Sequence, residues 1–212
     1  MKIPESVHLI EHPLLKHKLT MLRDKNTRSK EFREITEEMA MLMGYEVLKN
    51  LPLKKKKVIT PLERTTGWQI SGKKLAIIPI LRAGIALADG LKKLLPMAKT
   101  GHIGIFRDPK TLKAIRYYHK LPKDIKKRLC ILVDPMLATG HSAKAAIDIL
   151  KKEGAKTIKF LCLVSCPEGI KEITKYHPDI EIYTAVVDRQ LNDHGYILPG
   201  LGDAGDRIFG TK

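Results

Sequence analysis

The sequence predicts an α/β fold in which a largely parallel sheet is flanked by helices. Between residues 74 and 187, apolar runs of strand length alternate with amphipathic stretches of helical periodicity, which is the pattern of successive βαβ units. The runs 74–80 and 129–133 are almost continuously apolar, as in strands that are buried on both faces. Each of these runs leads through a small-residue loop into a helix. A chain of 212 residues suits one domain.

The N-terminal part of the chain predicts a helical arm followed by extended segments. Ser29 is expected to cap a helix that runs to about Leu48. An apolar stripe within residues 35–43 of this helix is either core or a subunit contact, and the pattern does not separate the two. Residues 58–68 predict extended edge structure with turns.

The central part of the chain supplies the strands of the sheet. Residues 102–107 predict a strand, 108–112 a turn and 113–119 a returning strand, so we expect a long hairpin there. Pro167 suits the first position of a helix. We expect this hairpin to lie outside the core, whose strands are expected at 74–80, 129–133, 157–165 and 180–188.

The stretch 129–142 carries the strongest chemical signal. Its strand ends at Asp134, and the loop Ala138-Thr139-Gly140 then leads into a helix. A helix N-terminus offers unpaired N–H groups and positive potential to an anion, and the hydroxyls of Thr139 and Ser142 can donate or cap. Asp134 would repel a phosphate but suits ribose hydroxyls. A ribose 5-phosphate therefore fits this stretch, while an ordinary capped strand–turn–helix is the alternative.

Two arginines follow other predicted strands at their carboxyl ends. Arg82 lies in the loop after the strand 74–80, and Arg107 ends the strand 102–107. In open α/β sheets, ligands bind at this edge. A guanidinium offers a forked donor for phosphate oxygens, although an arginine on the surface at a helix start is the alternative for Arg82.

A glycine-rich segment spans residues 195–210. Its Gly200 to Gly205 stretch matches the dinucleotide fingerprint G-x-G-x-x-G, but no strand precedes a long helix here, and Asp203 would face a pyrophosphate unfavourably. We therefore reject a dinucleotide site. An exposed glycine-rich backbone can instead approach a ligand closely, whereas a structural glycine-rich tail is the alternative.

Three motifs together carry a family resemblance. The stretch 133–142, Val-Asp-Pro-Met-Leu-Ala-Thr-Gly-His-Ser, resembles the phosphoribosyl pyrophosphate (PRPP) motif of type I phosphoribosyltransferases, and its Asp-Pro-Met-Leu-Ala-Thr-Gly form resembles the uracil-specific branch. The stretches 79–84 and 195–206 agree with that branch. The resemblance implies a single domain, 1–212: an arm at 1–73, a PRPP-binding core at 74–187 with a β-hairpin flap at 106–122, and a C-terminal hood loop at 188–212 that binds uracil. It also implies a non-proline cis peptide in the loop 81–84.

The resemblance implies the reaction uracil + PRPP → UMP + diphosphate. It implies Mg²⁺ held mainly by PRPP rather than by protein ligands, since Mg²⁺ prefers phosphate oxygens and waters. The catalytic residues would be Arg107, Asp134 and Asp203. The PRPP-binding residues would be Arg82, Arg107, Asp134, Pro135, Met136, Leu137, Ala138, Thr139, Gly140, His141, Ser142 and Asp203. The uracil-binding residues would be Ile197, Gly202, Asp203 and Ala204.

Uracil suits a backbone loop because its edge shows acceptor, donor and acceptor, which N–H, C=O and N–H groups can match. Cytosine would leave buried groups unpaired, at about 1–3 kcal/mol for each mismatch. Asp203 would either accept the proton from N1 of uracil or hold PRPP through a metal-bound water. The hypothesis requires that the hood and both strand-end loops meet at one crevice.

Three positions depart from the family pattern. Pro109-Lys110 replaces an acidic pair in the flap, which puts the role of those acids in doubt but not Arg107. Pro135 replaces the second acid of many type I members, and this favours uracil over purine chemistry. His141 stands where glycine is common, and we interpret it as the start of the helix.

Composition restricts the partners. The formal net charge of +16 suits either RNA or polyanionic small substrates. A regulator that binds RNA and an enzyme for another base are therefore the alternatives, and we expect neither nucleic acid nor a membrane as a partner. No apolar run reaches the ~20 residues of a membrane span, and no signal peptide is evident, so we expect a cytoplasmic protein.

The three cysteines are expected to be buried free thiols. We expect a homo-oligomer; GTP is an effector of some family members, but the sequence shows no GTP site.

Overall fold

The computed structural model describes residues 4–71, 74–107 and 114–211, without the side chains of Arg107 and Ala114. The helices are α1 (Pro13–Arg23), α2 (Ser29–Val47), α3 (Gly84–Leu94), α4 (His141–Lys152), α5 (Pro167–Tyr176) and α6 (Ala204–Phe209), with a 3₁₀ turn at Ile125–Lys127. The longer strands are β2 (Leu53–Ile59), β3 (Arg64–Ile70), β4 (Lys74–Leu81), β6 (His102–Arg107), β7 (Ala114–Lys120), β8 (Arg128–Val133), β10 (Thr157–Ser165) and β11 (Glu181–Val187). The shorter strands are β1 (Val7–Leu9), β5 (Lys99–Thr100), β9 (Met136–Leu137), β12 (Gln190–Leu191) and β13 (Ile197–Leu198).

The central sheet has the order β1-β11-β10-β8-β4-β6-β7, and within the described ranges β5 and β9 extend it to nine strands. Every strand pair in it is parallel except β6–β7. Helices make the long crossovers that parallel neighbours require. The predicted α/β class is confirmed. Because all pairs around β8 are parallel, the carboxyl ends of β4, β8 and β10 lie on one edge, where the predicted loops begin.

Hydrophobic cores cover both faces of the sheet. On one face, α1, α2, α3 and α6 pack against side chains such as Ile131 and Leu161. On the other face, α4 and α5 pack against side chains such as Leu132 and Phe160. The stripe of α2 belongs to the first core, where Met39 is fully buried. This stripe is therefore core, and it no longer argues for a subunit contact.

The N-terminal segment differs from the prediction in three details. Val7–Leu9 forms an edge strand that pairs with β11, although three residues are too short for a periodic signal. The extended structure expected at residues 58–68 is the ribbon β2–β3, which forms a two-stranded antiparallel sheet separate from the central one. Ser29 is the first residue of α2, and Arg28 is its N-cap, without a side-chain hydrogen bond.

The hairpin expected after residue 102 is the antiparallel pair β6–β7. The expectation that this hairpin lies outside the core is wrong for its base, because β6 also pairs with β4 and buries Ile103 and Ile105. The Pro109-Lys110 departure lies outside the described residues.

Arg128 fastens the amino-terminal edge of the sheet. Its side chain is 3% exposed, and its Nη2 and Nε lie 2.7 and 2.8 Å from the two carboxylate oxygens of Asp124. Its Nη1 donates to the carbonyl of Leu75 at 2.9 Å. This ion pair stands at the sheet edge opposite to the predicted site. In the part of the chain that the structure describes, no helix is both long and apolar enough to cross a bilayer.

Candidate active site

The loop between β8 and α4 forms a cradle at the carboxyl edge of the sheet. Gly140 is the N-cap of α4 and has φ = +81°, a conformation that glycine adopts without steric cost. A Cβ at this position would also lie 2.8 Å from Cβ of Glu172. Since the positive φ falls on Gly140, His141 begins the helix in ordinary helical geometry, as interpreted from the sequence.

Gly140, the N-cap of α4, has no side chain that could cap the helix. Among the described residues, the capping role considered for Ser142 is not observed, and the near-capping role considered for Thr139 is present only as one long contact. Thr139 Oγ1 lies 3.5 Å from the backbone nitrogen of His141, which is a long contact for a hydrogen bond. The first N–H groups of a helix have no partner within the helix. Without a strong cap, these amides and the positive end of the helix dipole face a small cavity of about 160 Å³.

Most of the predicted PRPP-binding residues of this loop line that cavity: Asp134, Met136, Leu137, Ala138, Thr139, Gly140 and Ser142. Two do not. Pro135 is buried, and its carbonyl accepts hydrogen bonds from the backbone nitrogens of Leu163 and Val164 at 2.9 and 3.1 Å. His141 is exposed on the first turn of α4 and is absent from the cavity wall.

Asp134 has the most perturbed electrostatics of the site. Burial raises the pKa of its carboxyl to about 7, and the negative charge of Asp203 adds to the rise, while the N–H of Met136 opposes it. A carboxyl that titrates near neutrality at a strand end is typical of a functional site. Asp203 belongs to the hood, and it lines the same cavity as Asp134.

The hood folds back over the cradle. It contains the short ribbon β12–β13, a cis peptide between Leu198 and Pro199, and helix α6. The carboxylate of Asp203 caps α6 by accepting from the backbone nitrogen of Asp206 at 2.9 Å. Helix α6 has only six residues, which agrees with the rejection of a dinucleotide site, since that fingerprint opens a long helix.

Hood and cradle enclose a second cavity of about 340 Å³. Its walls contain Asp134, Met136 and Ala138 from the cradle, and all four predicted uracil-binding residues, Ile197, Gly202, Asp203 and Ala204. The predicted convergence of the loops is thus observed. The wall also contains residues that the sequence analysis missed: Ala83, His194, Gly195, Tyr196 and Gly205. Tyr196 could have been suspected as an aromatic side chain inside a glycine-rich loop.

A buried ion pair fixes the hood to the N-terminal arm. Arg23, the last residue of α1, places Nη1 and Nη2 at 2.9 and 2.7 Å from the carboxylate of Asp188. The same carboxylate accepts from the backbone nitrogen of Gly200 at 2.9 Å, and Arg23 donates to the Gly200 carbonyl at 2.9 Å. Arg207 adds hydrogen bonds to the carbonyls of Leu22 and Leu201. No local motif of the sequence indicates these contacts.

Arg82 lies beside the hood rather than in the cavity wall. The Leu81–Arg82 peptide is cis, which confirms the expected non-proline cis peptide. The guanidinium contacts the carboxylate of Asp206 at 3.7 Å and lies 5.5 Å from the ring centroid of Phe209. Its side chain is 54% exposed and can leave these partners. The backbone of Arg107 ends β6 at the same sheet edge, but its side chain lies outside the described part of the chain.

A larger depression, of about 1060 Å³, lies elsewhere, between α1, α2 and the β1 edge of the sheet. Its walls contain apolar side chains such as Leu14 and Tyr45 and charged ones such as Glu38. None of the predicted site residues whose side chains the structure describes borders it, so the size of a cavity alone does not locate the chemistry here.

The fold and this edge of the sheet define a type I phosphoribosyltransferase. The model of the uracil phosphoribosyltransferase family matches residues 9–211. Uracil phosphoribosyltransferase of Clostridioides difficile is 63% identical over 95% of this chain and 96% of that protein, and the protein of the same name from Dictyoglomus thermophilum is 62% identical over 97% and 100%. A solved protein of Aquifex aeolicus superposes with a TM-score of 0.92 at 35% identity over 97% of this chain and 99% of that one. The chain belongs to the uracil phosphoribosyltransferase family.

Proposed function

We propose that this chain transfers the phosphoribosyl group of PRPP to uracil and releases UMP and diphosphate. The observation that supports the proposal most is that the hood and the cradle line one cavity of about 340 Å³. Asp134 lies in the wall of this cavity and also in the wall of the smaller cavity at the N-terminus of α4. A base and a sugar phosphate bound in these two parts would meet within this cavity.

The cradle provides for the ribose 5-phosphate. The anionic oxygens of the phosphate would bind at the N-terminus of α4, near the hydroxyls of Thr139 and Ser142. Asp134 would accept hydrogen bonds from the ribose hydroxyls. Binding energy at the remote phosphate then holds the reacting carbon in place, and this raises the rate of transfer.

The two arginines would act on the leaving group. As the bond from C1′ to pyrophosphate breaks, negative charge grows on the diphosphate, and Arg82 and Arg107 would stabilise it. Arg82 would exchange its exposed contact with Asp206 for phosphate oxygens. Replacing Arg107 with Ala should depress kcat/KM for PRPP by at least ~100-fold, whereas a near-normal value would remove Arg107 from the mechanism.

The hood provides for the base. We propose that backbone groups of Ile197, Gly202 and Ala204 match the acceptor–donor–acceptor edge of uracil. Gly202 has φ = +71°, so its backbone adopts a conformation that side chains disfavour. Asp203 lines the cavity that hood and cradle share, which supports the proposal that it is near the base, C1′ and pyrophosphate when they are bound. There it would accept the N1 proton or hold PRPP through a metal-bound water.

Mg²⁺ would enter with PRPP. In the ranges 4–71, 74–107 and 114–211, no three His, Cys, Asp or Glu residues converge as a metal site. Asp134 and Asp203 nevertheless line one cavity, and the negative charge of Asp203 contributes to the raised pKa of Asp134. This donor set fits an ion that keeps phosphate and water ligands and contacts one or two carboxylates. The ion would supply charge neutralisation on the diphosphate, while the chain's own residues orient the sugar and the base.

Three further properties are proposals. A homo-oligomer is supported by apolar side chains exposed on the β2–β3 ribbon, among them Ile59 at 77% and Trp68 at 64% exposure, and sedimentation at several protein concentrations tests it. GTP as an effector stays a prediction from the family resemblance, and adding GTP to the activity assay tests it. A cytoplasmic location stays a prediction as well.

A base panel with PRPP and Mg²⁺ tests the proposed function. Uracil should give UMP, while cytosine should react at least ~1,000-fold more slowly, because it would leave two hood groups unpaired. Orotate and xanthine keep the acceptor–donor–acceptor edge, so we expect their slower reaction to come from the added carboxylate of orotate and from the second ring of xanthine and hypoxanthine, not from unpaired hood groups. The main competing function is a regulator that binds RNA through its positive surface. Absence of uracil turnover, together with tight RNA binding that weakens steeply with salt, would replace the enzyme by that regulator.

A further inference from the structure

The first turn of α5 lies directly beneath the phosphate cradle, although it borders neither cavity. Cys166, the N-cap of α5, donates its backbone N–H to the carbonyl of Leu137 at 3.2 Å. Its Sγ lies 3.1 Å from the carbonyl oxygen of Ala138. Burial raises the pKa of this thiol to about 11, so it remains a donor at neutral pH. Cys166 therefore donates to two carbonyl groups of the cradle, those of Leu137 and Ala138, from the side of α5.

Gly169, one turn later, sets the distance between α5 and the cradle. A Cβ on Gly169 would lie 2.4 Å from the carbonyl oxygen of Ala138 and 2.6 Å from that of Leu137. From the other side, a Cβ on Gly140 would lie 3.0 Å from the carbonyl oxygen of Gly169. The atoms in the way belong to the backbone and cannot rotate aside. The contact has no room for one methyl group on either side.

Glu168, between these two residues, interacts with the Cys166 thiol and also reaches the hood. Its Oε1 accepts a hydrogen bond from the backbone nitrogen of Leu191 at 3.0 Å. Leu191 pairs with Ile197 across the β12–β13 ribbon, and Ile197 lies in the wall of the base cavity. One turn of helix is thus connected to the cradle through Cys166 and Gly169, and to the hood through Glu168.

We propose that the first turn of α5, Cys166 to Gly169, is a shared support that holds the phosphate cradle and the hood in register for transfer. Gly169 positions the cradle for PRPP, and Glu168 positions the hood for uracil. Both are positioning residues, because neither borders the cavities in which substrate would bind. This inference rests on the proposed function, since it assigns the two ligands to those cavities.

The proposal predicts that substitutions at two neighbouring residues weaken the binding of different substrates, PRPP for Gly169 and uracil for Glu168. Gly169→Ala must displace the cradle, so the Kd for PRPP with Mg²⁺, measured by calorimetry, should rise ~10-fold or more, since an ångström-scale misplacement costs up to ~100-fold. Its KM for uracil at saturating PRPP should stay within ~2-fold of wild type. Glu168→Ala should leave the Kd for PRPP unchanged and raise the KM for uracil ~5-fold, the loss expected for one hydrogen bond. Glu168→Gln keeps a side-chain acceptor and should restore the KM for uracil.

Gly44→Ala is the matched control. This substitution also adds a methyl to a buried helical glycine, 2.5 Å from the tip of Leu91, but in the α2–α3 contact away from both cavities. It should change thermal stability without changing either ligand constant. Should Gly169→Ala fail to fold, Cys166→Ala removes a donor to the cradle without adding atoms, and it should weaken PRPP binding ~2-fold, as expected for a weak S–H donor.

The outcomes separate the two proposals. If wild type makes UMP but Gly169→Ala leaves the Kd for PRPP unchanged, or if both substitutions raise the two constants alike, the shared support is refuted while the function stands. If wild type makes no UMP, the proposed function fails, and the calorimetric comparison of PRPP binding still decides the role of Gly169, because it needs no turnover.

Discussion

Replacing Asp188 with Ala should detach the hood from the N-terminal arm. The side chain of Asp188 is 5% exposed and accepts from both terminal nitrogens of Arg23 and from the backbone nitrogen of Gly200, at distances between 2.7 and 2.9 Å. The substitution leaves a guanidinium and a buried N–H without this acceptor. The chain is tightly folded at Gly200, which has φ = +60° and where an added Cβ would lie 2.1 Å from the carbonyl oxygen of Ile197.

The size of the effect follows from this burial. Removing one partner of a buried ion pair costs about 3–5 kcal/mol, and the 26% exposure of the Arg23 side chain places the loss at the lower end, about 3 kcal/mol. For a chain of this length, that loss lowers Tm by about 6–12 °C. Asp188→Asn keeps one acceptor oxygen and should lose about half as much, roughly 1.5 kcal/mol. The KM for uracil should rise in both variants, since Ile197 and Gly202 flank the displaced segment.

The assay combines urea denaturation, followed by circular dichroism, with steady-state kinetics. A double-mutant cycle with Arg23→Met, which keeps most of the aliphatic stem, isolates the pair and should give a coupling of at least ~1 kcal/mol. A loss of stability below ~0.5 kcal/mol with an unchanged KM for uracil would refute the reasoning, because the hood would then not depend on this contact.

Three further predictions follow from the site and the sheet. Since the pKa of Asp134 is raised to about 7, the folded chain binds more protons than the unfolded chain between pH 4 and 7, so its stability falls as pH rises through that window. Asp134→Asn should flatten this fall and abolish turnover, and the kcat/KM of the wild type for PRPP should rise with pH through about 7. Parallel profiles of stability against pH for the two proteins would contradict the assignment. Asp206→Asn releases Arg82 from an exposed ion pair worth at most about 1 kcal/mol, so the KM for PRPP should fall by no more than ~5-fold, and a rise would show that Asp206 orients Arg82 instead. Arg128→Met removes the ion pair with Asp124 at the far edge of the sheet and should lower Tm by several degrees with both KM values unchanged; altered KM values would mean that this edge communicates with the site.

Several features could be predicted because they depend on residues that are close in sequence. The apolar runs of β4 and β8 are buried whatever lies beside them, and the cradle depends on the conformation of a few consecutive residues around Gly140. The cis peptide before Arg82 and the meeting of the hood with the cradle were expected from the family resemblance, and both are observed. The edge strand β1 was missed because three residues carry no measurable period.

Other features depend on which distant segments touch. The stripe of α2 proved to be core because α3 and the sheet cover it, and periodicity does not reveal what covers a helix. The pKa of Asp134 depends on burial and on Asp203, which is 69 residues away along the chain.

The sequence by itself determined the fold class, the strand–loop–helix around Gly140 and the glycine-rich hood, since helix and strand periods, a left-handed glycine and a helix N-terminus are properties of short stretches. Only the tertiary structure decided that Arg23 pairs with Asp188, that the first turn of α5 contacts the cradle and that burial raises the pKa of Asp134 to about 7. These features arise from contacts between segments far apart in the chain, and such contacts exist only after the sheet has brought the segments together.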